Sequence, residues 1–261
     1  MITFLLLLYK DIDKRFYSSD GKNLTKVNDT SLDLRISSTC EIIQDQCFYL
    51  LKTLFSFSFE ENPNLTTIGS SSFSGCTNLT IINLSSCTKL TKISSEAFSY
   101  CTNVTQIFLP EGLLEIGEYT FWYVTQVTSI FIPTSVKIIG MSAFSDCRKL
   151  QNVTLEEGSN LTSLEDKVFT QTAITLFQIP EKVSKIHGKA FYYGKLTNIS
   201  VHPSSNYLTS DGNAVYSKNE SILFFILNKT GYKIPTSVTT IEEYCFYESS
   251  IKTIIIPANV N

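Results

Sequence analysis

The chain has 261 residues, 43% of them hydrophobic and 17% charged, with a formal net charge of −3. That length and a single continuous pattern argue for one elongated domain rather than two globular ones. Only three arginines are present, Arg15, Arg35 and Arg148, which argues against a nucleic-acid partner, because phosphates select clustered Lys and Arg.

The first segment, Met1 to Tyr9, is an apolar run too short to cross a bilayer, so no stable membrane span is expected. With no basic residues before it and no small-residue cleavage site after it, the run fits either a signal-peptide core or a strand covering the first coil. Residues 11–35 hold an Asp20-Gly21 turn signal, and Ile36 stands 12 residues before Phe48. They read as a decayed copy of a module met again at 202–233, so residues 1–34 are taken as an N-terminal segment or degenerate cap.

From there a phenylalanine recurs at Phe48, Phe73, Phe98, Phe121, Phe144, Phe169, Phe191 and Phe246, with gaps of 25, 25, 23, 23, 25, 22 and 55. A period in the low twenties marks a solenoid, whose units bury their apolar faces only against neighbours. Five residues before each Phe stands Ile43, Ile68, Ile93, Ile116, Ile139, Leu164, Ile186 or Ile241. After each Phe a second apolar triplet opens, as in Val104-Ile107-Leu109, Val127-Ile130-Ile132 and Ile174-Phe177-Ile179. This is the L-x-x-L-x-L pattern of a leucine-rich repeat. The last two triplet positions alternate with other residues, which predicts a short strand with one face inward. Pro110, Pro133, Pro180 and Pro257 follow it and end it, for want of an N–H. The small residue plus Phe, as in Ala97-Phe98 and Ala143-Phe144, predicts a short helical turn. The expected fold is therefore α/β: a leucine-rich repeat solenoid over 35–261 with a stacked parallel sheet, short helical turns and one inserted β-hairpin at 202–233. Strands stacked ~4.8 Å apart would make eight coils a rod of roughly 40 Å.

Within the insert, Asp211-Gly212 is a turn signal, and Ala214-Val215-Tyr216 and Ile222 to Leu227 read as strands around Lys218-Asn219-Glu220-Ser221. The register resumes at Ile234, 12 residues before Phe246. The coils end after Pro257 without a polar cap, which fits either an exposed edge or a fragment of a longer chain.

The string Ile132-Pro133-Thr134-Ser135-Val136-Lys137-Ile138-Ile139-Gly140-Met141-Ser142-Ala143-Phe144-Ser145-Asp146-Cys147-Arg148-Lys149-Leu150 resembles the BspA-like (Treponema-type) leucine-rich repeat family. The segment with Tyr207, Asp211, Gly212 and Tyr216 is similar to inserts in that family. The resemblance covers about residues 34–261. It implies a protein-binding, adhesin-like antigen on the cell surface or secreted, the alternative being an intracellular scaffold.

Chemistry-bearing residues fall into the repeat columns. Cys76, Cys101 and Cys147 share a column with Leu51 and Val124, Cys47 and Cys245 share one with alanines, and Cys40 shares one with Leu and Val, so six of the seven cysteines read as buried free thiols. Only Cys87 falls in a loop, where it is expected to be the reactive thiol. No C-x-x-C pair suggests a metal. His187 takes a variable surface position and His202 a post-strand proline slot, so no catalytic, metal or cofactor site is expected and the chain is read as non-enzymatic. Eleven N-x-S/T sequons, several created by the repeated Asn-Leu-Thr template, suit a secreted glycoprotein.

The candidate site is the outward face of the predicted strands, with Gln106, Phe108, Ser129, Phe131, Asn152, Thr154, Leu176 and Gln178 at its centre. Sixteen outward positions carry no charge, and Phe108 and Phe131 are expected side by side on consecutive coils. Exposed apolar residues and aromatic anchors are what interfaces use; the alternative is that aromatics merely suit strands. The expected partner is a host, matrix or other surface protein, bound by a monomer. Should that face fail, the insert with Tyr207, Tyr216, Phe224 and Phe225 is the next candidate.

Overall fold

The protein is described by a computed structural model over residues 9–227, 229, 231–247 and 251–260. Of the apolar run Met1 to Tyr9, all but Tyr9 lies outside the described residues.

Each coil has three sides. The first is the predicted strand, and its copies are Asp33–Ile36, Ser56–Phe59, Ile81–Asn83, Gln106–Phe108, Ser129–Ile132, Asn152–Leu155, Leu176–Ile179 and Asn198–Val201. They run parallel, but the backbone ladder joins them in groups. Ser56–Phe59 pairs with Asp33–Ile36, Ile81–Asn83 with Gln106–Phe108, Ser129–Ile132 with Asn152–Leu155, and Leu176–Ile179 with Asn198–Val201.

The second side is a row of two-residue strands that the sequence does not announce. Asn23–Leu24, Ile42–Ile43, Thr67–Ile68, Lys92–Ile93, Glu115–Ile116 and Ile138–Ile139 form one continuous parallel ladder, and Ser163–Leu164 pairs with Lys185–Ile186. Its second position is the recurring Ile or Leu, pointing inward and buried from Leu24 to Ile186.

The third side corrects an expectation. Where short helical turns are predicted there are none: among the described residues the only helix is the 3₁₀ turn Lys14–Phe16, capped by the Asp13 carboxylate. Alternate amides leave the coil instead. Glu96, Phe98 and Tyr100 donate to the carbonyls of Glu118, Thr120 and Trp122 on the next coil, while Ala97, Ser99 and Cys101 close turns onto Ser94, Glu96 and Phe98. An α-helix would need every one of those amides for its own i→i−4 bonds. Left-handed backbone two residues before and two after the Phe makes the alternation possible: Gln46 and Leu50, Glu96 and Tyr100, Tyr119 and Tyr123, Ser142 and Asp146, Lys167 and Gln171. A non-glycine residue held there costs on the order of 1 kcal/mol, offset by the inter-coil bonds that the conformation allows.

Phenylalanines fill the space between the three sides. Phe48, Phe73, Phe98, Phe121, Phe144 and Phe169 are fully buried, and Phe191 nearly so. Their rings follow one another at 4.5, 5.0, 5.8, 5.3, 5.7 and 5.5 Å between centroids, nearly parallel throughout. Cys76, Cys101 and Cys147 lie beside this spine, each thiol 3.1–3.2 Å from the carbonyl of Phe48, Phe73 or Phe121.

At the insert, Leu208–Ser210, Ala214–Ser217 and Ile222–Ile226 form an antiparallel meander, one strand more than the predicted hairpin. Its last strand pairs in parallel with Thr240–Ile241 and lies against Lys185–Ile186, so the insert supplies a rung of the second side. The N-terminal segment repeats the device: Tyr17 bridges Leu24 antiparallel, as Tyr216 pairs with Leu223, and Asn23–Leu24 then begins the second side. The core divides at the insert, with Ala214, Tyr216, Leu223, Val238 and Cys245 forming a second cluster against which the half-buried Phe246 packs.

Candidate binding surfaces

On the first side, side chains alternate as strand geometry requires. Gln106, Ser129, Asn152, Thr154 and Gln178 face solvent, as do Phe108 at 45% exposure, Phe131 at 37% and Leu176 at 67%. Register sets Phe108 beside Asn83, Phe131 beside Thr154, and Gln178 beside Ser200. The structure thus brings all eight predicted residues onto one face. It does not join Phe108 to Phe131 directly: their strands belong to different ladders and, among the described residues, the two rings make no contact. Phe55 and Ile81, both exposed, extend the apolar character of this face toward the N-terminus.

The insert offers less than its sequence suggests. Tyr207 is exposed, but Tyr216 and Phe225 are buried and Phe224 is half-buried. Tyr216 turns inward because its hydroxyl pairs with that of Tyr232, which also donates to Asp211.

The third side carries aromatic residues that the columns missed. Tyr100 stacks on Tyr123 at 5.2 Å and meets the edge of Trp122 at 4.8 Å, and Tyr119 meets Trp122 at 5.6 Å. Arg148 lies 5.1 Å over Tyr123, held by Asp146 at 3.0 Å. A second patch joins Tyr192, Tyr244 and Tyr247, with Lys189 Nζ 3.6 Å above Tyr244 and 4.5 Å above Tyr247. The available signal was the aromatic pair directly after the recurring Phe, Trp122-Tyr123 and Tyr192-Tyr193.

All seven cysteines are free and buried. This corrects the expectation for Cys87, whose loop folds inward as at the buried Pro63 and Ser159. Burial pushes the Cys76, Cys87 and Cys245 thiols up to about 12 and Cys40 to about 11. The two imidazoles are engaged locally: His187 Nδ1 accepts from the Lys189 amide and lies 3.3 Å from Asp166, and His202 Nδ1 accepts from the Ser204 amide. Among the described residues no group of His, Cys, Asp or Glu could hold a metal ion, and no helix is long and apolar enough to cross a membrane.

A family profile described as BspA type Leucine rich repeat region matches in six copies, over residues 25–126, 114–232 and 220–261. Among solved structures, a leucine rich cell surface protein from Faecalibacterium prausnitzii is 27% identical with a TM-score of 0.74, covering 88% of this chain and 64% of that one. The leucine-rich repeat protein of T. pallidum is 28% identical with a TM-score of 0.60, covering 69% of this chain and 87% of that one. A leucine-rich repeat protein from Bacteroides ovatus, 17% identical with a TM-score of 0.52 over 99% of this chain, shares the fold alone. No curated protein matches the chain.

Proposed function

We propose that this chain, which belongs to the BspA-type leucine-rich repeat family, is a non-enzymatic protein-binding module of an adhesin-like protein, displayed on the cell surface or secreted. The observation that carries the reading is the first side from Ser56 onward: its outward strand positions carry no charge, with Phe108, Phe131 and Leu176 exposed among Gln, Ser, Asn and Thr. Exposed aromatic and aliphatic side chains ringed by small polar ones match the anatomy of a protein interface, where a few desolvated anchors supply most of the binding energy. The fold supports the same reading, since its stacked coils present an extended surface of the kind repeat proteins use for binding. The surface location rests on the likeness to the Faecalibacterium cell surface protein. The expected partner is a protein of a host, a matrix or another cell surface, bound by a monomer.

Two measurements test this. A C-terminally tagged chain expressed in its own cells should be reached by antibody on intact cells or recovered from the medium; a tag found only in cytosol favours the intracellular scaffold instead. A photo-crosslinking residue placed at Gln106 or Ser129 should capture one discrete protein, whereas the same residue at Lys137, toward the second side, should not. Equal capture from both places contradicts a strand-face site.

A further inference from the structure

We propose that the aromatic patch on the third side, formed by Tyr100, Tyr119, Trp122 and Tyr123, is a second binding surface that takes an arginine- or lysine-bearing protein segment. The surface stands apart from the strand face, on the turn side of the same coils.

Register holds the patch together: Tyr100 and Tyr123 are the residues two after Phe98 and Phe121, and the amide of Tyr100 donates to the carbonyl of Trp122. Tyr100 is 40% exposed and the other three rings are half-buried. Among the described residues, no protein group pairs with the indole N–H or the three phenol hydroxyls. Tyrosine and tryptophan with wet polar tips are characteristic of surfaces that meet partners.

The charges beside the patch set the partner's chemistry. Glu96 occupies the same position on its coil as Tyr119 on the next, and its amide donates to the carbonyl of Glu118. Both carboxylates are exposed, and among the described residues neither has an ion-pair partner. The local cation, Arg148, is already neutralised by Asp146 and lies over Tyr123. That pair displays the preferred chemistry in miniature: a guanidinium on an aromatic face with a carboxylate behind it. The rings of Tyr100, Tyr119 and Trp122, with the exposed Glu96 and Glu118 on the same two turns, offer the same combination to an incoming cation.

Trp122 is the chain's single tryptophan, so its emission reports on this patch. Titration with an oligoarginine peptide should shift or quench that emission saturably, and the effect should weaken with added salt. Oligoglutamate should leave it unchanged. Glu96→Gln with Glu118→Gln should weaken the oligoarginine affinity roughly three- to tenfold at low salt, with an unchanged far-UV spectrum. Glu156→Gln with Glu157→Gln, on a different loop, should bind like the parent. The proposal is overturned by an emission indifferent to oligoarginine, by equal affinity in the Glu96/Glu118 variant, or by a response to a neutral oligoglucoside in place of the cationic peptide.

Discussion

At the scale of single residues, the phenylalanine spine and the thiols are buried in the core of the coils. Phe144 lies between Phe121 and Phe169, with ring centroids 5.3 and 5.7 Å away, and is fully buried. Phe144→Ala should therefore destabilise by ~3–5 kcal/mol, and neighbouring coils should loosen with it, because each coil is buried only by its neighbours. Urea denaturation of the variant checks this; an unchanged midpoint would contradict the spine. The cysteines make a second prediction. Because all seven are buried, the native protein should resist a thiol reagent at every one, and all seven should react on denaturation. Burial raises Cys40 to about 11 and Cys76, Cys87 and Cys245 to about 12, so the fold holds these groups protonated where the unfolded chain, with thiols near 8.5, ionises them. Their contribution to stability is full below about pH 8 and is lost as pH rises through 9 to 12. Tyr17, pushed by burial to about 12, acts in the same direction. Melting temperatures measured across that range should fall; a flat profile would contradict the buried-thiol account.

At the scale of elements, the close stacking of turns makes particular backbone positions intolerant of side chains. A Cβ on Gly140 would meet the Glu118 amide nitrogen at 2.6 Å and the Gly117 carbonyl carbon at 2.8 Å, both backbone atoms of the preceding coil. Gly140→Ala should cost ~1–3 kcal/mol as those backbones are forced apart, read as a lowered unfolding midpoint; an unshifted midpoint would mean the coils are looser than this contact requires. The first-side strands were legible because the Ile107-Phe108-Leu109 alternation spans enough residues to show its period. Lys92–Ile93 and its counterparts are two residues long, and two residues carry no period to read. The turn side misled because Ala97-Phe98 suits a helix by composition, while the left-handed positions on either side are occupied by Glu96 and Tyr100, types that give no warning of that backbone. Cys87 misled for a related reason: its loop looked solvent-facing in sequence but folds inward. The strand-face residues were found because alternation alone determines which way they point. The patch around Trp122 was missed because Tyr100 lies on one turn and Tyr119, Trp122 and Tyr123 on the next, so the rings meet only when the coils stack.

At the scale of the whole molecule, three stitched sides make a stiff coil stack that can vary its outward residues without touching the core. Phe108 and Phe131 belong to that variable set: their neighbours Ile107, Leu109, Ile130 and Ile132 are buried while they remain exposed. Removing them should leave the fold intact while removing binding energy, since surface substitutions away from core, caps and strained backbone usually change stability by less than ~0.5 kcal/mol. Binding and stability of the Phe108→Ser, Phe131→Ser double variant, measured together against the partner captured through Gln106, test the strand-face account most directly. The account predicts abolished binding with the parent's unfolding midpoint; binding of parent strength in a folded double variant would contradict it.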